Sequence, residues 1–525
     1  MIAALIFILT LIPFLPALRA GFVWDDAANL FDNRAYRHFD WKHLKWMFTT
    51  TYMGPYQPLS WASLGLDFHL WGMHAWGFHL TNMLLHAANA VLFYFISREF
   101  LKRALPDASE REVALGAAVS ALFFSLHPLR VESVAWVTER RDVLAGFFGL
   151  WATLCWLKGR RLRAILPLYT ACLLSKASGV ALPAAWLILD YYPLRRLNSF
   201  SELKKSFVDK MPFFILAGGA AAFAIAGQAG AGNLRGLSEL GVSARVAEAL
   251  IGLGFYAQKT LWPSMLSPLY RVPDALSVFS ARVWISLLAI GACAYAIRLA
   301  RVDRRAQAAL WGYYVLSVLP VSGLLQNGPQ LAADRYSYLS CLGWALLAGA
   351  AAARARGRLA LGGVAVLLVV LGALSFRQTR FWYDDDALWS RALSVDPGSI
   401  PARLNYGLAL AGKRRMFEAL SIYEETEGLA PNNAMVWNHH GYVLLELKRY
   451  DEAEVVLRRA VSLDENLGSA WTYLGAASLR QGKFEQAVRE LSRAAELSPE
   501  SELAQDNLEE AQRAVEDAKK AQKKP

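Results

Sequence analysis

Apolar runs punctuated by short basic clusters set the strongest limit on how this chain can fold. The runs lie near residues 2–19, 77–97, 112–126, 141–157, 162–175, 177–192, 211–227, 283–297, 307–322, 336–353 and 359–376. Several are shorter than a full span, but together they predict about eleven crossings of a bilayer. The clusters "REFLKR", "KGRRLR", "LRRLNSFSELKK", "RLARVDRR" and "RARGR" follow every second run. Basic loops on alternate sides are the signature of cytoplasmic exposure. The expected topology therefore has a cytoplasmic N-terminus, with the loop after the first run and everything beyond the last run outside. Residues 246–262 break this alternation if they cross, so they are expected to form a re-entrant or surface helix. Met1–Ala20 lacks a basic leading region and is followed by many further runs, so it reads as a first span rather than a cleaved signal.

Composition agrees with a polytopic membrane protein. The chain is 55% hydrophobic and contains 18 tryptophans, more than one soluble core requires. Its net charge of +11 resides in the loop clusters, so it marks topology and excludes nucleic acid as the partner. Cys155, Cys172, Cys293 and Cys341 all lie within apolar runs without metal-binding or disulfide spacing, and are expected to serve packing.

Beyond about Phe376 the pattern changes. Gly407, Gly441 and Gly475 are 34 residues apart, as are Ala419, Ala453 and Ala487. Trp437 and Trp471 share one register, and Pro431 and Pro499 stand two periods apart. Agreement at several positions predicts tetratricopeptide repeats near 400–433, 434–467 and 468–501. "ALWSRALSVDP" supplies Ala392 and Pro397 of a preceding half repeat. The expected division is a membrane domain over 1–380, a repeat domain over 381–510 and a frayed, charged tail over 511–525.

Chemistry-bearing residues collect in the outer loops. The first run ends in "FVWDDAANLFDN", with adjacent carboxylates at Asp25 and Asp26. Aspartate is costly near hydrocarbon, so the pair reads as functional, with a helix-end cap as the competing assignment. "HPLRVESVAWVTERRDVLAG" holds Arg130, Arg140 and Arg141 beside Glu132, Glu139 and Asp142. Lys176 in "LLSKASG" and Asp334, Arg335 and Tyr336 in "LAADRYSYL" face the same compartment. Guanidinium suits phosphate, and local ion pairing with the neighbouring acids is the alternative. "GFHLTNMLLHAANAVLF" sets His79, Asn82, His86 and Asn89 along one helical stripe, which either lines a cavity or hydrogen-bonds between helices. Tyr56, Gln57 and His127 complete the expected cavity lining. His79 and His86 are two helical turns apart and poorly spaced to chelate one metal ion. The first outer loop, with Trp61, Trp71 and Trp76, reads as short interfacial helices.

These stretches, in this order along essentially the whole chain, resemble the GT-C glycosyltransferase fold. They are most similar to the transmembrane and tetratricopeptide-repeat O-mannosyltransferases and their bacterial relatives. That family usually has an acidic residue where this chain has Ala177. The resemblance implies an all-α membrane bundle followed by a tetratricopeptide-repeat solenoid. It further implies a polyprenyl-phosphate-linked sugar, with mannose as the expected sugar, as donor, and Ser/Thr of extracytoplasmic proteins as acceptor. Asp25 and Asp26 would be the catalytic acids; Arg140, Arg141, Arg335, Lys176 and Arg130 would hold the donor phosphate; the repeats would bind an acceptor or partner protein. No cofactor is assigned, and a divalent metal ion stays open. The competing readings are a membrane-anchored repeat scaffold without activity, and a GT-C transferase acting on a glycan or lipid. The expected location is the cell (inner) membrane, with the repeats periplasmic.

Overall fold

The computed structural model describes residues 1–234, 236, 240–273, 276–324 and 330–522. The chain forms two compact units, residues 1–384 and 385–525. Both are helical; among the described residues the one strand pairing is short and antiparallel, Tyr270–Arg271 against Gln330–Ala332.

Every apolar run of the first unit folds as helix, but fewer than eleven could cross a membrane alone. Among the described residues five helices are long and apolar enough: Ile2–Arg19, Ala75–Ala104, Met211–Gly230, Ala281–Leu299 and Gly357–Trp382. Counting each of two bent pairs as one span, Glu110–Ser125 with Pro128–Ala135 and Asp334–Ser340 with Leu342–Arg354, brings the number up to seven. The remaining runs fall short for physical reasons. Leu162–Ser175 has 14 residues, about 21 Å of helix against a hydrocarbon core of about 30 Å. Residues 177–192 break into a tight turn, Ala177–Ala181, before the helix Leu182–Tyr191. Arg140–Leu157 opens on Arg140, Arg141 and Asp142, and all but Arg141 are buried. The region expected to form a re-entrant or surface helix is one continuous helix, Val242–Leu261, with Arg245 and Glu248 buried.

Small residues allow one close helix crossing in this unit. A Cβ on Gly349 would lie 1.9 Å from Ser120 Oγ and 2.3 Å from the Gly116 carbonyl. Glu110–Ser125 and Leu342–Arg354 therefore meet backbone to backbone, as small-residue interfaces allow. Ser109 and Glu112 form a capping box at the start of the first of these helices.

In the second unit the 34-residue period has a direct steric cause. A Cβ on Gly407, Gly441 or Gly475 would come within 2.4 to 2.5 Å of Tyr423, Leu457 or Leu491. Each partner lies on the second helix of the same hairpin: Ile400–Gly412 with Met416–Leu429, Ala434–Glu446 with Tyr450–Leu463, and Gly468–Arg480 with Phe484–Leu497. Ala419, Ala453 and Ala487 are fully buried beside them. The turns between hairpins close by a repeated hydrogen bond. The carbonyls of Pro397, Pro431, Glu465 and Pro499 accept from Arg403, Trp437, Trp471 and Gln505 at 3.0, 2.9, 2.9 and 2.5 Å. This accounts for the shared register of the two tryptophans.

The charged tail departs from expectation. Glu502–Gln522 is one helix, and Ala504 and Ala511 are buried. Ala511 packs with Leu479 and Leu491. Without that face the last hairpin would leave its apolar side in water, which is why solenoids need a terminal cap.

Overfilling one glycine contact tests the hairpin packing. Gly441→Val should destabilise the repeat unit by about 1–3 kcal/mol. Gly428, on a helix with nothing within 4 Å of a Cβ, should accept alanine with no loss. Amide hydrogen exchange across residues 434–463 measures the difference, and equal protection in both variants contradicts the packing account.

Candidate active site at the end of the first helix

The chain leaves its first helix at Arg19 and turns sharply at Trp24, whose φ of 55° lies in the left-handed region. A bulky residue there costs about 1–2 kcal/mol. Stacking on Trp136, with ring centroids 4.5 Å apart and planes within 4°, helps hold the turn. Asp26 holds it as well. One carboxylate oxygen accepts the Val23 amide at 3.0 Å; the other accepts the Thr138 amide at 2.8 Å and hydroxyl at 2.6 Å. Burial pushes the Asp26 carboxyl up to about 7, with the hydrogen bonds from Thr138 and Val23 opposing it. Asp26 thus ties the first loop to the 136–142 segment with its acceptor capacity largely engaged. Asp25 is half-buried. Burial raises its carboxyl above the ordinary range, and Arg141 and Arg335 partly offset this. Of the pair, Asp25 is the less buried.

The cations around it form a network centred on Glu139. Arg141 donates to Glu139 through Nη2 at 2.6 Å and Nε at 3.1 Å. Lys176 Nζ reaches Glu139 at 2.8 Å and Asp142 at 2.7 Å. Arg335 Nε lies 3.3 Å from Glu139, and its Nη1 is paired with Glu132. The Arg335 guanidinium also sits over the Trp136 ring at 5.4 Å. Lys176, Arg335, Asp142 and Tyr336 line a small cavity of about 60 Å³. Leu182, Ala185, Tyr313 and Leu339 are shared between this cavity and an apolar one of about 810 Å³, which extends to Ala104, Val302 and Arg354.

Several expected site residues lie elsewhere. Arg140, expected at the donor phosphate, is fully buried. It donates to Asp67 at 2.5 Å, Ser63 at 2.7 Å, the Phe78 carbonyl at 2.9 Å and the Asn82 side chain. Every guanidinium nitrogen is held by protein, so Arg140 is an internal brace. Arg130 is likewise buried, donating to the Ser337 carbonyl at 2.7 Å and hydroxyl at 2.5 Å. Of the residues expected to line the cavity, Tyr336 does so. Asp334 instead accepts from Tyr270 at 2.9 Å, and Glu132 pairs with Arg335. His127 donates to the Thr260 carbonyl at 3.0 Å and accepts the Leu129 amide. His79, Asn82, His86 and Asn89 are all fully buried. They bond between elements: His79 to the Gly21 carbonyl, Asn82 to the Val134 and Trp136 carbonyls, and His86 and Asn89 to the Tyr338 hydroxyl. Tyr56 donates to the Phe48 carbonyl, and Gln57 is buried at the start of Pro58–Trp71. Among the described residues no three His, Cys, Asp or Glu side chains are grouped to hold a metal ion.

Asp67 and Thr138 went unremarked in the sequence, although each holds a site segment in place. A lone aspartate inside "LGLDFHL" was the available signal for the first, since an acid on an apolar helix needs a partner.

Comparison with known proteins gives distant relationships. The family model of the coatomer epsilon subunit matches residues 406–519, inside the repeat unit. Protein O-mannosyl-transferase TMTC2 of Mus musculus is 29% identical over 204 residues, which cover 35% of this chain and 23% of the relative. Protein O-mannosyl-transferase TMTC4 of Homo sapiens is 24% identical over 471 residues, covering 77% of this chain and 63% of the relative. The chain thus spans about a quarter of the length of the TMTC2 relatives it matches. Among solved structures, the first tetratricopeptide domain of Spaghetti (RPAP3) bound to an HSP90 peptide is 23% identical, with a TM-score of 0.21. It covers 22% of this chain and 91% of that chain.

The internal role of Arg140 is testable. Arg140→Ala leaves Asp67 as an unpaired buried charge and should cost roughly 3–5 kcal/mol. Removing both partners should recover part of the loss. Thermal unfolding in detergent reads this; a stable Arg140→Ala protein with weakened donor binding returns Arg140 to the ligand set.

Proposed function

We propose that the chain is an integral-membrane, inverting glycosyltransferase. It moves a sugar, mannose by analogy with its distant relatives, from a polyprenyl phosphate to Ser/Thr hydroxyls of extracytoplasmic proteins. One observation carries the reading. Asp25 lies in the field of Arg141 and Arg335, and Arg335 with Lys176 lines a small cavity that adjoins a long apolar one. A lipid-linked phosphate needs that combination of cationic head site and apolar tail site.

In this mechanism Asp25, whose carboxyl burial raises above the ordinary range, takes the proton of the acceptor hydroxyl as general base. The acceptor oxygen bonds to the anomeric carbon as the bond from that carbon to the phosphate oxygen breaks. The electron pair leaves on the phosphate, where Arg141, Arg335 and Lys176 stabilise the developing charge. Asp26 keeps the loop in register through Thr138. The repeats, joined by the chain to the last membrane helix, bind the acceptor protein and raise its local concentration.

Asp25→Asn keeps shape and removes basicity, so transfer to a Ser/Thr peptide should fall by about 10²–10⁴ with unchanged thermal stability. Unaltered turnover in the folded variant removes Asp25 from the mechanism. In the same assay, deletion of residues 400–525 should weaken transfer to whole proteins more than to a short peptide; equal effects leave the repeats without a role in acceptor capture.

Topology is open to a separate test. A Ser469→Cys variant, with the native cysteines replaced, should react with a membrane-impermeant thiol reagent once the outer envelope is opened. Labelling only after lysis of the cytoplasmic membrane puts the repeats in the cytoplasm.

A further inference from the structure

Glu139 is fully buried and yet engaged by three cations. Burial would raise its carboxyl, but Arg141, Lys176 and Arg335 outweigh that and hold it well below the usual range. The three come from separate segments of the chain, and two of them, Lys176 and Arg335, line the small cavity. Stability alone gives little reason for such a group, because removing several charges from water costs more than good packing would. A cation nest at a phosphate site gives a reason, provided its charge is matched to the ligand.

The charge on the lipid phosphate changes during the proposed reaction. The sugar-linked donor is a phosphodiester with one negative charge. Once the bond to the anomeric carbon breaks, the lipid phosphate is a monoester carrying about −1.5 to −2 at neutral pH. Lys176 and Arg335 also pair with Asp142 and Glu132, so Glu139 is the one carboxylate that all three cations share. Without it the less compensated nest would hold the product more tightly than the donor, and release would stall.

We propose that Glu139 is a built-in counter-ion of this nest: it keeps the three cations assembled and offsets their charge so that the lipid phosphate product can leave. It acts through the cations and is a positioning residue. The inference rests on the transferase reading above and adds to it the control of product release.

Glu139→Gln preserves shape and an acceptor oxygen for Arg141 or Lys176 while deleting one charge. In the full chain, reconstituted in nanodiscs, its affinity for polyprenyl phosphate should rise by at least about tenfold. Steady-state kcat should fall, with a burst of one product per enzyme, while Glu139→Asp restores wild-type release. A folded Glu139→Gln protein that binds polyprenyl phosphate no more tightly than wild type overturns the proposal. Should that variant fail to fold, Arg141→Gln decides. Losing one cation should weaken polyprenyl phosphate more than the sugar-linked donor, and equal weakening overturns the proposal. Wild-type protein that binds no polyprenyl phosphate sinks the transferase reading together with this inference; normal wild-type binding with an unmoved Glu139→Gln sinks the inference alone.

Discussion

A charged carboxylate cut off from water persists only in the company of cations, and Glu139 gathers its company from three parts of the chain. The segment around it is the fastening point of the first unit. Thr138 holds Asp26, Glu139 holds Lys176 and Arg335, Arg140 holds Asp67 and Asn82, and Asp142 holds Ser133 and Lys176. Neighbouring residues can reach in such different directions because the tight turn Val137–Glu139 passes directly into the helix beginning at Arg140. Displacing this turn would disturb the first loop, the Lys176 turn and the Asp334–Tyr336 turn together.

The same geometry separates two carboxylates that look equivalent in sequence. The left-handed turn at Trp24 is followed by Asp26 folded back on Val23 and across to Thr138, while Asp25 remains half-buried near Arg141 and Arg335. One acid is spent on architecture. The other is the less buried of the two.

What could be read in advance follows from how far apart the interacting residues are. Hairpin packing recurs at a fixed 34-residue spacing, so the repeat glycines and alanines declared themselves, and the polar stripe from His79 to Asn89 declared its inward face through helical periodicity. Span number was less legible, because a short apolar run does not say whether its helix crosses: 162–175 forms a 14-residue helix, and 177–192 breaks into the turn Ala177–Ala181 and the helix Leu182–Tyr191. The site network was least legible of all. Arg140 meets Asp67 across 73 residues and Arg335 meets Glu132 across 203. No local pattern encodes such pairs, so an arginine spent on an internal acid and one beside a cavity look alike. The charged tail misled for a related reason: its apolar side is made of alanines, which a high charge density masks.

The turn closure in the repeat unit has a consequence for how such chains change over evolutionary time. Arginine, tryptophan and glutamine all perform the same bond to the carbonyl six residues earlier, within their own boundary. Each junction is therefore self-contained and indifferent to which neighbour precedes it. Duplication or loss of one whole 34-residue unit leaves every remaining junction intact, whereas a shift by a few residues breaks the bond and the glycine contact at once. Selection on such an array can lengthen or shorten it in whole units and vary the side chains that close its turns, but has little freedom to change the length of any single repeat.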